Sequence, residues 1–185
     1  MDTQYRELMG AVVAVNYWGE VLAGDLLGEV LTHEDAAPWR AMLEAQRDDE
    51  LRHAEQTRAL LVRWGQDPLE GGAVTDFTFH DIFREFAARG VVPGLACVGE
   101  NEGLSSQHFA QITRIARHVG DPEVVDLYRT ILKDEVRHSQ SLLAALPDNP
   151  ENTATREEAR ERMEATMSEP YLRLYVCYPP PGRRR

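Results

Sequence analysis

The chain has 185 residues, 43% of them hydrophobic and 28% charged, and a formal net charge of −11 at pH 7. This length and balance suit one globular domain, 1–185, with enough chain to bury a sizeable core. An acidic surface repels a phosphate backbone, which argues against nucleic acid as a partner. No apolar run reaches the roughly 18 residues of a membrane span.

The first stretch predicts a helix over 3–32, with Asp2 or Thr3 as its N-cap and Glu20 interrupting an otherwise apolar run. A second helix is expected over 38–64, opened by Pro38 and stopped by Gly65. Residues 66–77, with Pro68, Gly71 and Gly72, read as loop. A short helix over 78–89 follows, with Phe79, Ile82, Phe83 and Phe86 as its apolar edge. Gly90 and Pro93 lead into a third long helix that ends at Gly120, and Asp121-Pro122 opens a fourth that runs to about Leu146. A C-terminal helix is expected over 155–169, opened by the capping box Thr155-x-x-Glu158, with Ala159, Met163, Thr166 and Met167 facing the bundle. The alternation in 171–176 is too short to assign, and Pro179, Pro180 and Pro181 lead into an Arg183-Arg184-Arg185 tail.

One pentapeptide occurs twice on these helices. Asp49-Glu50-Leu51-Arg52-His53 returns as Asp134-Glu135-Val136-Arg137-His138. Glu and His three apart share a helix face, so a carboxylate oxygen and an imidazole nitrogen can approach one metal ion. A bundle that supplies Glu-x-x-His from two helices and a lone Glu from each of the other two makes a dinuclear carboxylate site. Glu20 lies on the core stripe of the first helix. On the third helix, Glu102 shares its face with Leu95, Val98, Phe109 and Ile112, whereas Glu100 has the poorer interior face. The expected metal ligands are therefore Glu20, Glu50, His53, Glu102, Glu135 and His138. Asp49 and Asp134 lie one turn before the histidines and can accept the second imidazole N–H of the partner helix's histidine, with Arg52 and Arg137 balancing their charge. Tyr17, one turn before Glu20, reads as a core tyrosine, with a hydrogen bond to a ligand or a redox relay as the alternatives. Asn16, Gln46 and Thr57 face the same interior. His33, His80, His108 and His118 fall off the metal face, and Cys97 reads as packing. Carboxylate and imidazole without thiolate suit iron, with manganese at one or both positions the alternative.

Asp-Glu-x-Arg-His on two helices with lone glutamates on two others resembles the ferritin-like diiron-carboxylate superfamily, over about residues 5–146. Within it, the match is closest to O2-activating members, the bacterial multicomponent monooxygenase hydroxylases and related desaturases. The resemblance implies an all-α, ferritin-like four-helix bundle of two antiparallel hairpins, joined by a long crossover that contains the short helix, plus the C-terminal helix. It implies two iron ions, dioxygen, a small-molecule substrate and an electron-donor protein. The monooxygenases place a hydroxyl residue one turn after the third-helix glutamate; that position is Ser106 here, where the family usually has Thr. The chain is much shorter than a monooxygenase subunit and lacks the rubredoxin-like cysteine pairs of rubrerythrins. An oxidase or oxygenase acting on a small organic substrate is the leading expectation, with iron oxidation for storage and a metal-stabilised structural bundle as alternatives. The start of the chain lacks a basic, apolar leader, and the two cysteines, Cys97 and Cys177, are too few for a disulfide scaffold. The expected setting is the cytoplasm, and a homodimer through a helix face fits this reading.

Overall fold

In the computed structural model, residues 2–69, 78–166 and 168–179 are described. The expectations for the Phe79 side chain, Met167, most of the loop over 66–77 and the arginine tail fall outside those residues. Seven α-helices and no strand form among the described residues. None of the helices is long and apolar enough to cross a membrane.

α1 covers Thr3–Val30, capped by the Asp2 carboxylate, which accepts from the Gln4 N–H at 3.1 Å. A 3-10 turn over Glu34–Trp39 takes up Pro38, so α2 begins two residues later than the sequence suggests, at Arg40–Arg63. Next come α3 over Thr78–Ala88, α4 over Val91–Val119 and α5 over Pro122–Ala145. Gly120, at φ 82°, turns the chain between α4 and α5; its N–H and that of Asp121 both reach the Ala116 carbonyl, at 2.9 and 2.8 Å. Asp121 then caps α5 by accepting from the Val124 N–H at 3.2 Å. α1 packs on α2 and α4 on α5, while α2 meets α5. Gly99 permits the close approach of α4 and α5, because a β-carbon there would lie 2.8 Å from a Leu143 methyl.

Two apolar clusters set the helix directions. One holds Tyr5 and Val13 of α1, Leu60 of α2, Ile112 of α4 and Ile131 of α5. The other holds Leu27 of α1, Leu43 of α2, Leu95 of α4 and Leu142 of α5. α1 and α5 therefore run from the first cluster to the second, and α2 and α4 run from the second to the first. α2 ends beside the first cluster, whereas α4 starts beside the second. α3 packs into the second cluster through Ile82, Phe83 and Phe86.

The C-terminal part differs from its sequence expectation. α6 starts at Pro150, not Thr155, and runs over Pro150–Glu164. Asn149 caps it by accepting from the Asn152 N–H at 2.8 Å, so Asn149-Pro150 is the cap and first residue of this helix. Thr155 lies inside the helix, its hydroxyl donating to the Glu151 carbonyl at 2.9 Å. The unassigned stretch forms α7, Glu169–Cys177, which buries Tyr171 and Leu174 at helical spacing against α1.

Glu100 also needs correcting. It is 5% exposed, as buried as an interior residue, because α6 covers α4. Arg156 donates to its Oε1 at 2.8 Å, and Arg160 donates twice to its Oε2, at 2.9 and 2.8 Å. The carboxylate faces α6 and leaves the glutamate–histidine layer to Glu102. Both arginines are partly exposed and can turn to water when the carboxylate is lost. Glu100→Ala is therefore expected to cost about 1–3 kcal/mol in chemical unfolding while metal analysis still finds the wild-type number of ions per chain.

Candidate metal centre

The six residues singled out as ligands meet in a layer between the two apolar clusters. Glu20 comes from α1, Glu50 and His53 from α2, Glu102 from α4, and Glu135 and His138 from α5; all are buried. Each helix delivers its residue at the point where its apolar stripe passes from one cluster to the other. The ligand atoms form two groups, each with all atoms within 4.8 Å of one another. One group is Glu20, Glu50, His53 and Glu135; the other is Glu50, Glu102, Glu135 and His138. Glu50 and Glu135 belong to both.

The imidazoles show how such a layer could hold cations. His53 directs Nδ1 at the carboxylates, 3.4 Å from Glu135 and 3.5 Å from Glu20. His138 Nδ1 lies 3.0 Å from Glu50. Neither Nδ1 has a hydrogen-bond partner of acceptable geometry, and Glu135 Oε1 is likewise buried without one. Buried polar atoms are rarely left so, and a lone pair on each Nδ1 facing carboxylate oxygens is the donor set of a divalent ion.

The opposite ring nitrogens are tied down across the helix pair. His53 Nε2 lies 3.2 Å from Asp134 Oδ2 of α5, and His138 Nε2 lies 3.1 Å from Asp49 Oδ2 of α2. Each Nε2–H donating to an aspartate leaves Nδ1 unprotonated for a metal. Arg52 donates to Asp49 and, at 2.9 Å, to Asp134; Arg137 pairs with Asp49 and, at 2.9 Å, with Asp134. The two aspartates and two arginines thus close a ring over the histidines. Gln46 adds an amide inside, donating to Glu50 at 3.4 Å and Glu102 at 3.2 Å.

Charge in the layer is uneven. Burial pushes the Glu20 and Glu102 carboxyls well above the usual range, and neighbouring Glu50 and Glu135 charges add to this for Glu102. Burial and the charges of Glu20 and Glu50 push Glu135 up to about 8. Glu50 goes the other way: burial would raise it, but the facing imidazoles of His138 and His53 hold it below its ordinary value. Burial opposes the charged form of both histidines, yet the facing carboxylates raise them.

The other residues singled out from the sequence divide between core packing and local bonds. Tyr17 packs its ring edge-on against Trp18 and, among the described residues, makes no hydrogen bond to a site glutamate. The tyrosines near the layer are instead Tyr128 and Tyr171, both bonded to Asn16, which sequence periodicity had marked only as an interior amide. The Ser106 hydroxyl donates back to the Gly103 carbonyl at 2.8 Å, a bond any helical serine can make; Ser105, not Ser106, faces the cavity described next. Thr57 bonds only to backbone carbonyls of its own helix. Cys97 packs in the second apolar cluster.

A cavity of about 410 Å³ opens onto the layer and touches Glu20, Glu50, Glu102 and Glu135. α1 and α4 form its sides, and Phe83 of α3, Met163 of α6 and Tyr171 of α7 also line it. His108 lines this cavity, with its Nδ1 3.0 Å from the Tyr175 hydroxyl. No protein-family model, curated protein or solved structure matches this chain.

Two measurements follow from this geometry. Asp49→Ala and Asp134→Ala each remove the acceptor of one histidine and are expected to weaken metal affinity by roughly 10- to 100-fold, read by competition with a chromophoric chelator. The pH dependence of the chelated protein has a definite sign. Glu20, Glu102 and Glu135 hold protons in the folded state that the unfolded chain releases at its ordinary value, so their contribution is present below about pH 4.5 and is lost as pH rises toward about 8. Glu50, depressed, contributes a constant amount over that window. The melting temperature of chelated protein is therefore expected to fall from pH 5 to pH 8, and that of metal-loaded protein to stay level.

Proposed function

We propose that this chain is a ferritin-like diiron protein, an O2-dependent oxidoreductase that acts on a small organic substrate. The observation that carries the reading is the pair of overlapping glutamate–histidine groups, each with an unpartnered, buried Nδ1. Two opposed helix pairs, with α2 ending beside one apolar cluster and α4 starting beside the other, support the ferritin-like bundle of two antiparallel hairpins and a long crossover. In this assignment Glu20, Glu50, His53 and Glu135 would hold one ion and Glu50, Glu102, Glu135 and His138 the other, with Glu50 and Glu135 common to both groups. Iron is the favoured metal on the donor set, with manganese at one or both positions the alternative.

Two ferrous ions held there would supply the two electrons needed to reduce dioxygen by one two-electron step. The rest of the work falls to the chain. Asp49 and Asp134 fix the imidazole tautomers, while Arg52 and Arg137 keep those aspartates ionised. When ionised, the four glutamates bring a charge of −4 that two divalent ions would neutralise, so filling stabilises the buried layer. Gln46 orients Glu50 and Glu102 against each other. The apolar clusters on both sides keep bulk water from the layer, and the cavity gives a substrate access to it on the α1–α4 side. A cavity of this size and mixed lining fits a small organic molecule, which favours an oxidase or oxygenase over iron storage. An electron-donor protein would restore the ferrous state between turnovers.

Anaerobic loading with ferrous ion, followed by O2, separates the readings. The expected result is two iron ions per chain, oxidised once and retained. Iron that accumulates beyond two per chain as mineral would instead identify an iron-oxidising storage protein.

A further inference from the structure

The cavity beside the glutamate layer has a polarity of its own. Apart from the four glutamates, the only charged side chain in its described lining is Glu164, near the end of α6; neither lysine nor arginine contributes. On the same helix, Arg160 spends its guanidinium on Glu100 and Arg162 on Glu85. Glu164 forms no ion pair among the described residues. Four residues on, at the start of α7, Ser168 also lines the cavity, and its Oγ is a buried atom without a hydrogen-bond partner.

The remaining lining is neutral. α4 offers the amides of Asn101, Gln107 and Gln111, and apolar surface comes from Val15, Phe83 and Met163. His108 is kept neutral by burial, which lowers its affinity for a proton, so it does not repel a cation. An anionic substrate would enter without a basic residue to meet it, and desolvating its charge would cost several kcal/mol. A cation would find the Glu164 carboxylate, which feels the charge of Arg160 but forms no ion pair among the described residues.

We infer that the cavity takes a small organic amine in its protonated form, with its apolar part along Val15, Phe83 and Met163, and its ammonium group donating to the Glu164 carboxylate and to Ser168 Oγ. Glu164 is thus a specificity-determining residue at the end of the cavity formed by the α6–α7 junction. The inference rests on the reading of the cavity as the substrate site of a dinuclear centre.

Three probes of matched size separate charge from shape: 2-phenylethylamine, 2-phenylethanol and 3-phenylpropionate. Their binding is measured by calorimetry to protein loaded with redox-inert zinc, so that no turnover intervenes. The amine is expected to bind tightest and the acid weakest. Glu164→Gln, a change at an exposed position, should weaken the amine by roughly 3- to 10-fold, between the effect of an exposed pair and that of a charged hydrogen bond, and leave the alcohol unchanged. An acid that binds as tightly as the amine, an amine affinity untouched by Glu164→Gln, or no binding by any of the three would overturn the inference. Zinc counted on the same samples keeps the two readings apart. Fewer than two ions per chain contradicts the dinuclear centre, whereas two ions with no amine preference contradicts only the assignment of the substrate.

Discussion

Four glutamates converge in one buried layer, and the rest of the molecule is arranged to make that tolerable. An isolated ionised carboxylate in an apolar interior is so costly that it takes up a proton instead. Here Glu20, Glu102 and Glu135 are all driven toward the protonated form, and only Glu50, which faces both histidines, stays readily ionised. Two divalent cations would remove the conflict at once. The same cations would give each histidine Nδ1 the partner it otherwise lacks.

The two sides of the layer are built for different purposes. On the α2–α5 side, the Asp-Glu-x-Arg-His copies exchange partners: each aspartate serves the histidine of the other helix, and each arginine touches both aspartates. That crossed pattern locks α2 to α5 and fixes both imidazoles with one set of bonds. The α1–α4 side has no such ring. It presents Glu20 and Glu102 beside a cavity whose far wall is the C-terminal pair α6 and α7. The Glu100 clamp to Arg156 and Arg160 and the Asn16 bonds to Tyr128 and Tyr171 hold that wall in place, so the tail of the chain shapes access to the layer.

Much of this was legible in the sequence because it is periodic. Two copies of a five-residue motif, and lone glutamates on apolar stripes, are enough to place six side chains on four helix faces. The aspartate–histidine exchange was legible too, since an aspartate one turn away on its own helix is poorly aimed at its own histidine but well placed for the other. What was not legible depends on contacts between distant segments. Glu100 looked solvent-facing because the helix that covers it lies more than fifty residues later, and the Arg156 and Arg160 pair signals a partner without naming it. Tyr17 and Ser106 were chosen by offset from a ligand, but offset fixes a helix face only to within a broad arc, and both side chains turn to local partners. α6 began early because a proline that ends one helix can open the next, and only packing decides between the two roles.

The shared glutamates are the centre of the account, and magnetic coupling reports them most directly. Metal-free protein titrated with manganous ion to two per chain and frozen should give an electron paramagnetic resonance spectrum of a coupled pair, its hyperfine lines at half the spacing of an isolated ion. Ions bridged by Glu50 and Glu135 require that coupling. A simple six-line spectrum that only grows in intensity as the second ion is added, or saturation at one ion per chain, would contradict a dinuclear centre built on those two residues.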